Sequence, residues 1–228
     1  MKPVRLALAA AAAVALLWLP FVPTLDLAQN GLVADWHPPA ALLLALAAVA
    51  VVTLAGGRLG RGGRGTLAAV LLGTALLQLA AALVPRFLDR ALDLYFDLPQ
   101  VPSLMGIVTD AVGATRAASG ACVAAAGLVA LLALLAWALG VVERVLATHR
   151  VATAVLALSL ALLVGSAVSH STLVSFAAPA AIGDQAARLW RAETVIYGYD
   201  HRYDAALDAP APAETDLAAL KGHDVFLV

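Results

Sequence analysis

The run AASGACVAAAGLVALLALLAWALGVV, from Ala117 to Val142, holds 26 residues with neither a charge nor a proline. A hydrocarbon core of roughly 30 Å takes about 17–25 predominantly apolar residues in a helix, so this stretch reads as a membrane crossing. Four further stretches read the same way: Val4–Val22, Pro39–Leu54, Thr66–Val84 and Val151–Ser169. Pro38 and Pro39 open one of them and Pro85 closes another, where a residue without an N–H costs least. Trp36 and Trp137 fall near helix ends, at the depth where an indole keeps its N–H hydrated. Lys2 and Arg5 ahead of the first run resemble a secretory signal peptide. That run meets Pro20 and Phe21 with no small-x-small cleavage pattern, so it reads as an uncleaved signal anchor.

Composition agrees. Of 228 residues, 63% are hydrophobic and 13% charged, with a mean hydropathy of +0.92. Ordinary soluble domains are about 45–50% apolar and about 25% charged, and a soluble fold cannot hide this excess. The expected fold class is an all-α membrane protein: a five-helix transmembrane bundle over residues 1–170, with the lipid bilayer as its first partner. Residues 171–228 form an extracytoplasmic tail. The net charge of −1 supplies no basic field, which argues against a nucleic-acid partner. Cys122, the single cysteine, lies in an apolar run and reads as a small packing residue.

Orientation follows from lysine and arginine placement. With the N-terminus cytoplasmic, the inner set is Lys2, Arg5, Arg58, Arg61, Arg64, Arg144 and Arg150 against Glu143. The outer loops carry Arg86, Arg90 and Arg116 against Asp26, Asp35, Asp89, Asp93, Asp97 and Asp110. The stretch Gly56–Gly65 reads as a flexible basic turn on the inner side. Five crossings then deliver everything after Ser169 to the outer face of a bacterial inner membrane, in the periplasm.

The most patterned polar segment is Pro85–Asp97. Asp89, Asp93 and Asp97 recur every four residues, the spacing of one helical stripe, with Leu88, Leu92 and Tyr95 on a neighbouring stripe. The expectation is an amphipathic helix at the membrane surface. Arg86, Asp89, Arg90, Asp93, Tyr95 and Asp97 are its candidates for binding a lipid head group or docking an outer domain. The competing reading is a solvated face held by Arg86–Asp89 and Arg90–Asp93 pairs. A metal site is disfavoured, because hard cations want oxygens converging from a turning loop. His37, His149, His170, His201 and His223 show no ligand spacing. Thr74 and Gln78 are the most polar side chains of the third crossing, and no ionisable group sits mid-membrane, which counts against a transporter. Small residues at Ala117, Gly120, Ala121, Ala124 and Gly127 offer a face for close helix packing.

Past the membrane the composition changes. Asp184–Tyr197 has an amphipathic pattern, with Ala187, Leu189, Trp190 and Ile196 apolar. A polar aromatic patch, Tyr197–Asp204, follows, and Ala209–Ala213 alternates proline and alanine as a semi-rigid linker. Thr215 caps a short helix through Lys221, and Gly222 ends it before an apolar strand, His223–Val228. A strand apolar on both faces belongs inside a parallel sheet. No other segment supplies partner strands, so the expectation is a chain that continues into an α/β domain.

Five helices, an outer linker and the strand Gly222–Val228 resemble the N-terminal part of bacterial membrane-anchored sulfatase-like enzymes of the alkaline phosphatase superfamily. These include the lipoteichoic acid synthases and the lipid A phosphoethanolamine transferases. The segment Arg86–Pro102, with its Asp93-Leu94-Tyr95 core, is similar to their first large outer loop. The resemblance implies that the strand leads to a metal-binding glutamate and then to a serine or threonine nucleophile, aspartates and histidines. None of these positions exists in this sequence, so it implies no catalytic residue and no cofactor here; a divalent metal belongs to the missing domain. The implied function is a membrane anchor for a hydrolase or phospho-group transferase acting on envelope or lipid-linked substrates. The alternative is a non-enzymatic membrane scaffold or assembly subunit complete at Val228.

Overall fold

A computed structural model describes residues 3–26, 31–34, 37–169 and 173–207. Helix α1, Pro3–Trp18, carries proline at its first position, where the absent N–H has no helical partner to lose. A 3-10 turn at Leu19–Phe21, with Pro20 inside it, ends the run. Ala13, Leu17 and Phe21 recur at four-residue spacing and are buried. They place one face of α1 in the core, against the long helix Ala114–Leu146.

A hairpin stands where the sequence pattern suggested only a loop. Strands β1, Pro23–Asp26, and β2, Gly31–Ala34, pair antiparallel with Pro23 opposite Ala34 and Asp26 opposite Gly31. Four residues per strand are too few for alternation to stand out against the background, and proline is tolerated as a strand's first residue. The fold is therefore mostly helical rather than purely so.

Helix α2, Ala40–Leu54, ends in a Schellman arrangement. Gly57 N–H donates to the Val52 carbonyl at 2.9 Å and Gly56 N–H to the Thr53 carbonyl at 3.0 Å. Gly56 takes the left-handed φ of 74° that closes this motif. Helix α3, Arg61–Leu88, then starts five residues earlier than its apolar pattern. Arg61–Gly65 is the first turn of this helix, so the expected flexible turn shrinks to Gly56–Gly60. Pro85 does not close α3 either; it lies within the last turn. So near the C-terminus, one missing N–H interrupts little of the ladder. Asp89 ends the helix in the left-handed region at φ 51°, a conformation aspartate tolerates better than most residues.

Short helices α4, Leu94–Asp97, and α5, Val101–Val112, lead into α6, Ala114–Leu146. Helix α7, His149–Ser169, and helix α8, Ala177–Leu207, complete the described chain. Helix α8 outruns its amphipathic pattern at both ends; Pro179 is tolerated because it sits in the first turn. Of these helices, α3, α6 and α7 are long and apolar enough to cross a membrane, while α1 and α2 are shorter apolar helices.

The core forms where α1 and α3 pack on α6, with α2 packed along α7. Leu17, Val49, Leu135, Leu139 and Leu146 are its largest fully enclosed side chains. Thr74 is buried in α3 and returns its hydroxyl to the Val70 carbonyl at 2.7 Å, which satisfies it within its own helix. The start of α2 is tied to the segment after α7. Ser175 donates to the Pro38 carbonyl at 3.1 Å, and its own carbonyl accepts from Ala40 at 2.9 Å.

The chain divides into two compact units, residues 1–188 and 189–228. The described part of the second is the helical run 189–207, which includes the backbone of the Tyr197–Asp204 patch. The Pro-Ala linker, the short helix from Thr215 and the terminal strand lie outside the described residues.

Candidate functional site

The expected straight helix over Pro85–Asp97 is broken at Asp89, whose left-handed backbone turns the chain out of α3. Asp89, Asp93 and Asp97 therefore do not form one stripe. Arg86, in the last turn of α3, and Asp89 are exposed. Neither of the expected pairs, Arg86–Asp89 and Arg90–Asp93, forms. Arg90 instead pairs with Asp97, seven residues on, because the turn folds α4 back toward it.

The two remaining aspartates together cap the start of α4. Asp93 is the N-cap of α4, and its Oδ1 accepts from the Tyr95 N–H at 3.1 Å. Asp97 reciprocates through Oδ2, accepting from the Asp93 N–H at 2.8 Å. This is the reciprocal logic of a capping box, displaced by one residue. It lets a four-residue helix persist where propensity alone could not nucleate one. Burial alone would raise the Asp97 pKa. The hydrogen bond from Arg90, the Asp93 N–H and the guanidinium charge outweigh it and hold the carboxyl below its ordinary value of 3.8. The Tyr95 and Phe96 rings meet edge to face, with centroids 5.1 Å apart.

What seats this loop is a residue that carried no signal in the sequence. Gln185, on α8, is only 5% exposed. Its Nε2 donates to the Leu92 carbonyl at 2.8 Å, and its Oε1 accepts from the Leu94 N–H at 3.0 Å. A side-chain amide is suited to this task because it carries a donor and an acceptor at one end. Leu92 of the loop is itself buried beside this clamp's first contact, its own carbonyl. Gln185 lies within the Asp184–Tyr197 pattern, but a polar residue in an amphipathic helix gives no sign of what it will meet.

A second polar node closes the other end of the bundle. Glu143, near the end of α6 and 6% exposed, accepts from the Leu59 N–H at 3.0 Å through Oε1 and from Arg64 Nε at 2.8 Å through Oε2. It joins the α2–α3 connection to α6. In the sequence Glu143 was merely the one acid among inner basic residues, and that contrast was the available signal.

Among the described residues no group of three or more histidine, cysteine, aspartate or glutamate side chains could hold a metal ion. Asp93 and Asp97 are engaged in capping and pairing, which suits them to shaping this turn. Compared with known proteins, the chain matches no family model, no curated protein and no solved structure.

Proposed function

We propose that this chain is the membrane anchor of a sulfatase-like hydrolase or phospho-group transferase that works on envelope or lipid-linked substrates outside the cytoplasm. In this reading α1, α2, α3, α6 and α7 are five crossings, the N-terminus is cytoplasmic, and α8 emerges on the outer face of a bacterial inner membrane. The observation that supports the anchoring role is the Gln185 clamp, while the class of enzyme rests on the resemblance of the sequence. The segment after the last crossing does not leave the bundle freely but is hydrogen-bonded to the Leu92–Leu94 backbone. An anchor that fixes the direction in which its chain leaves the bundle raises the effective concentration of a tethered catalyst at a membrane substrate. The transfer chemistry, with a hydroxyl nucleophile and a divalent metal, belongs to a domain beyond these residues.

Reporter fusions test the geometry. A periplasm-dependent reporter joined after Arg188 is expected to be active, and one joined after Arg58 inactive; the reverse pattern overturns the reading. Membranes expressing the natural reading frame are expected to turn over phosphodiester or sulfate-ester substrates in a chelator-sensitive way, while residues 1–228 alone do not. Turnover by residues 1–228 alone contradicts the assignment.

One observation favours the alternative of a non-enzymatic scaffold. From Ala114 to Ala130, α6 is exposed at every position but Ala117, and Leu104, Ile107 and Val108 of neighbouring α5 are exposed as well. Such a helix has room for partner helices on all sides. Cys122, free and exposed in this stretch, provides a handle: short-range crosslinking in native membranes to one defined protein supports the scaffold.

A further inference from the structure

We propose that the end of the bundle where the α2–α3 connection meets the C-terminus of α6 is a binding site for a phosphate-bearing anion, with the head group of an anionic phospholipid as its source. A cavity of about 330 Å³ opens there, lined by Arg58, Arg64, Glu143, Arg144 and Ala147. A smaller one of about 210 Å³ adjoins it, sharing Arg58, Glu143 and Ala147. Three guanidinium groups face one carboxylate, so two positive charges are left in excess.

The carboxylate is already engaged. Glu143 commits one oxygen to the Leu59 N–H and the other to Arg64 Nε, and is buried among these partners. Its role toward the cavity is to hold Arg64 in place. Arg64 uses only its Nε in that bond, so neither Nη group has a hydrogen bond among the described residues. The guanidinium lies close over Gly140: a Cβ at that position would stand 3.1 Å from Nη1. Glycine therefore lets the charge lie against α6.

Arg58 and Arg144 are exposed, and neither has an ion-pair partner among the described residues. Arginine is the side chain suited to this chemistry, since its planar fork presents paired N–H donors to phosphate oxygens. The N-terminus of α3 adds to the field. Its N-cap, Gly60, offers no side-chain acceptor and its first turn contains no acid. The location selects a lipid source. Arg58 lies just past the end of the apolar helix α2 and Arg144 in the last turn of the apolar helix α6, at the depth of head groups, and basic pockets between membrane helices bind anionic head groups. A general inner-face bias toward arginine accounts for positive charge at this end. It does not account for a buried glutamate that fixes one arginine beside two unpaired ones.

Thermal unfolding of the full chain in neutral detergent tests the site. The probes are dioleoyl phosphatidic acid, dioleoyl phosphatidylcholine and inorganic phosphate. Phosphatidic acid is expected to raise the Tm by about 5 °C more than phosphatidylcholine, which has the same chains but no net charge. The double variant Arg58→Gln/Arg144→Gln is expected to lose that difference while keeping its lipid-free Tm, because neither residue holds the fold together. Removing as much charge outside the cavity, with Arg61→Gln/Arg150→Gln, is expected to preserve it. A shift from phosphatidic acid without one from inorganic phosphate identifies the head group; an equal shift from phosphate alone identifies a soluble anion at the same site. Equal responses to the two lipids, or equal losses in the two double variants, overturn the proposal.

Discussion

The two ends of the bundle are each closed by one buried polar side chain, and they use opposite chemistry. At one end Glu143 gathers a backbone N–H and a guanidinium across 84 and 79 positions of sequence. At the other, Gln185 gathers a carbonyl and an N–H across 93 and 91 positions. A carboxylate accepts only, so the first closure needs a cation and leaves arginines around it. An amide donates and accepts, so the second satisfies bare backbone and needs no charge. The first end is thereby suited to meet anions, and the second to hold a neighbouring segment of its own chain in place.

The comparison breaks most severely if the charge is deleted. Glu143→Ala strands Arg64 and the Leu59 N–H together, and is expected to cost about 2–4 kcal/mol, discounted because the Arg64 side chain remains 30% exposed. Urea unfolding in mixed micelles measures it; a loss below about 0.5 kcal/mol would show that this end is held by apolar packing alone. Gln185→Leu leaves the Leu92 carbonyl and the Leu94 N–H without partners, for about 1–3 kcal/mol. It is also expected to speed proteolysis in the 89–97 loop, read by limited digestion.

Exchanging the two chemistries sharpens the contrast. In Glu143→Gln the new amide can still accept from Leu59 but points an N–H at Arg64. In Gln185→Glu the new carboxylate still accepts from Leu94 but opposes the Leu92 carbonyl. Both are expected to destabilise, by about 1–2 kcal/mol. Only the second is expected to recover on acidification, because a protonated carboxyl donates to Leu92. Unfolding midpoints compared at neutral and mildly acidic pH decide this, and parallel pH profiles for the two variants would contradict the assignment.

The smallest effects lie in the capping pair. Asp93→Ala removes the acceptor for the Tyr95 N–H and is expected to cost about 0.5–1 kcal/mol. The Asp97 contribution has a definite sign with pH. Its folded pKa is lowered, so the stabilisation is present above the ordinary value of 3.8 and disappears as pH falls through the lower folded value. Protection of the Asp93 amide, which donates to Asp97, against hydrogen exchange should track that course. Arg90→Gln should move the Asp97 titration upward, which carboxyl NMR shifts would register.

Much of the architecture was legible in the chain itself. The apolar runs ending at Leu54 and Ser169 correspond to α2 and α7, and those centred on Thr66–Val84 and Ala117–Val142 to the middles of α3 and α6. Their polar ends were not legible. Arg61–Gly65 is poor in helix signal and Pro85–Leu88 reads as part of a separate surface helix, yet both continue α3 because each adds one turn to a helix already nucleated. The four-residue spacing of Asp89, Asp93 and Asp97 suggested one continuous face, and a single left-handed residue annulled it. Spacing assumes an unbroken helix; nothing in the three aspartates themselves states where the helix stops.

What the sequence determined alone is the membrane character of the chain and the approximate position of its apolar helices. Transfer from water depends on the composition of a contiguous stretch, and composition can be read along a line. Tertiary structure decided which polar groups close the bundle. Glu143 and Gln185 acquire their partners only when helices bring distant residues within hydrogen-bonding reach, and a contact of about 3 Å depends on packing that no local window contains.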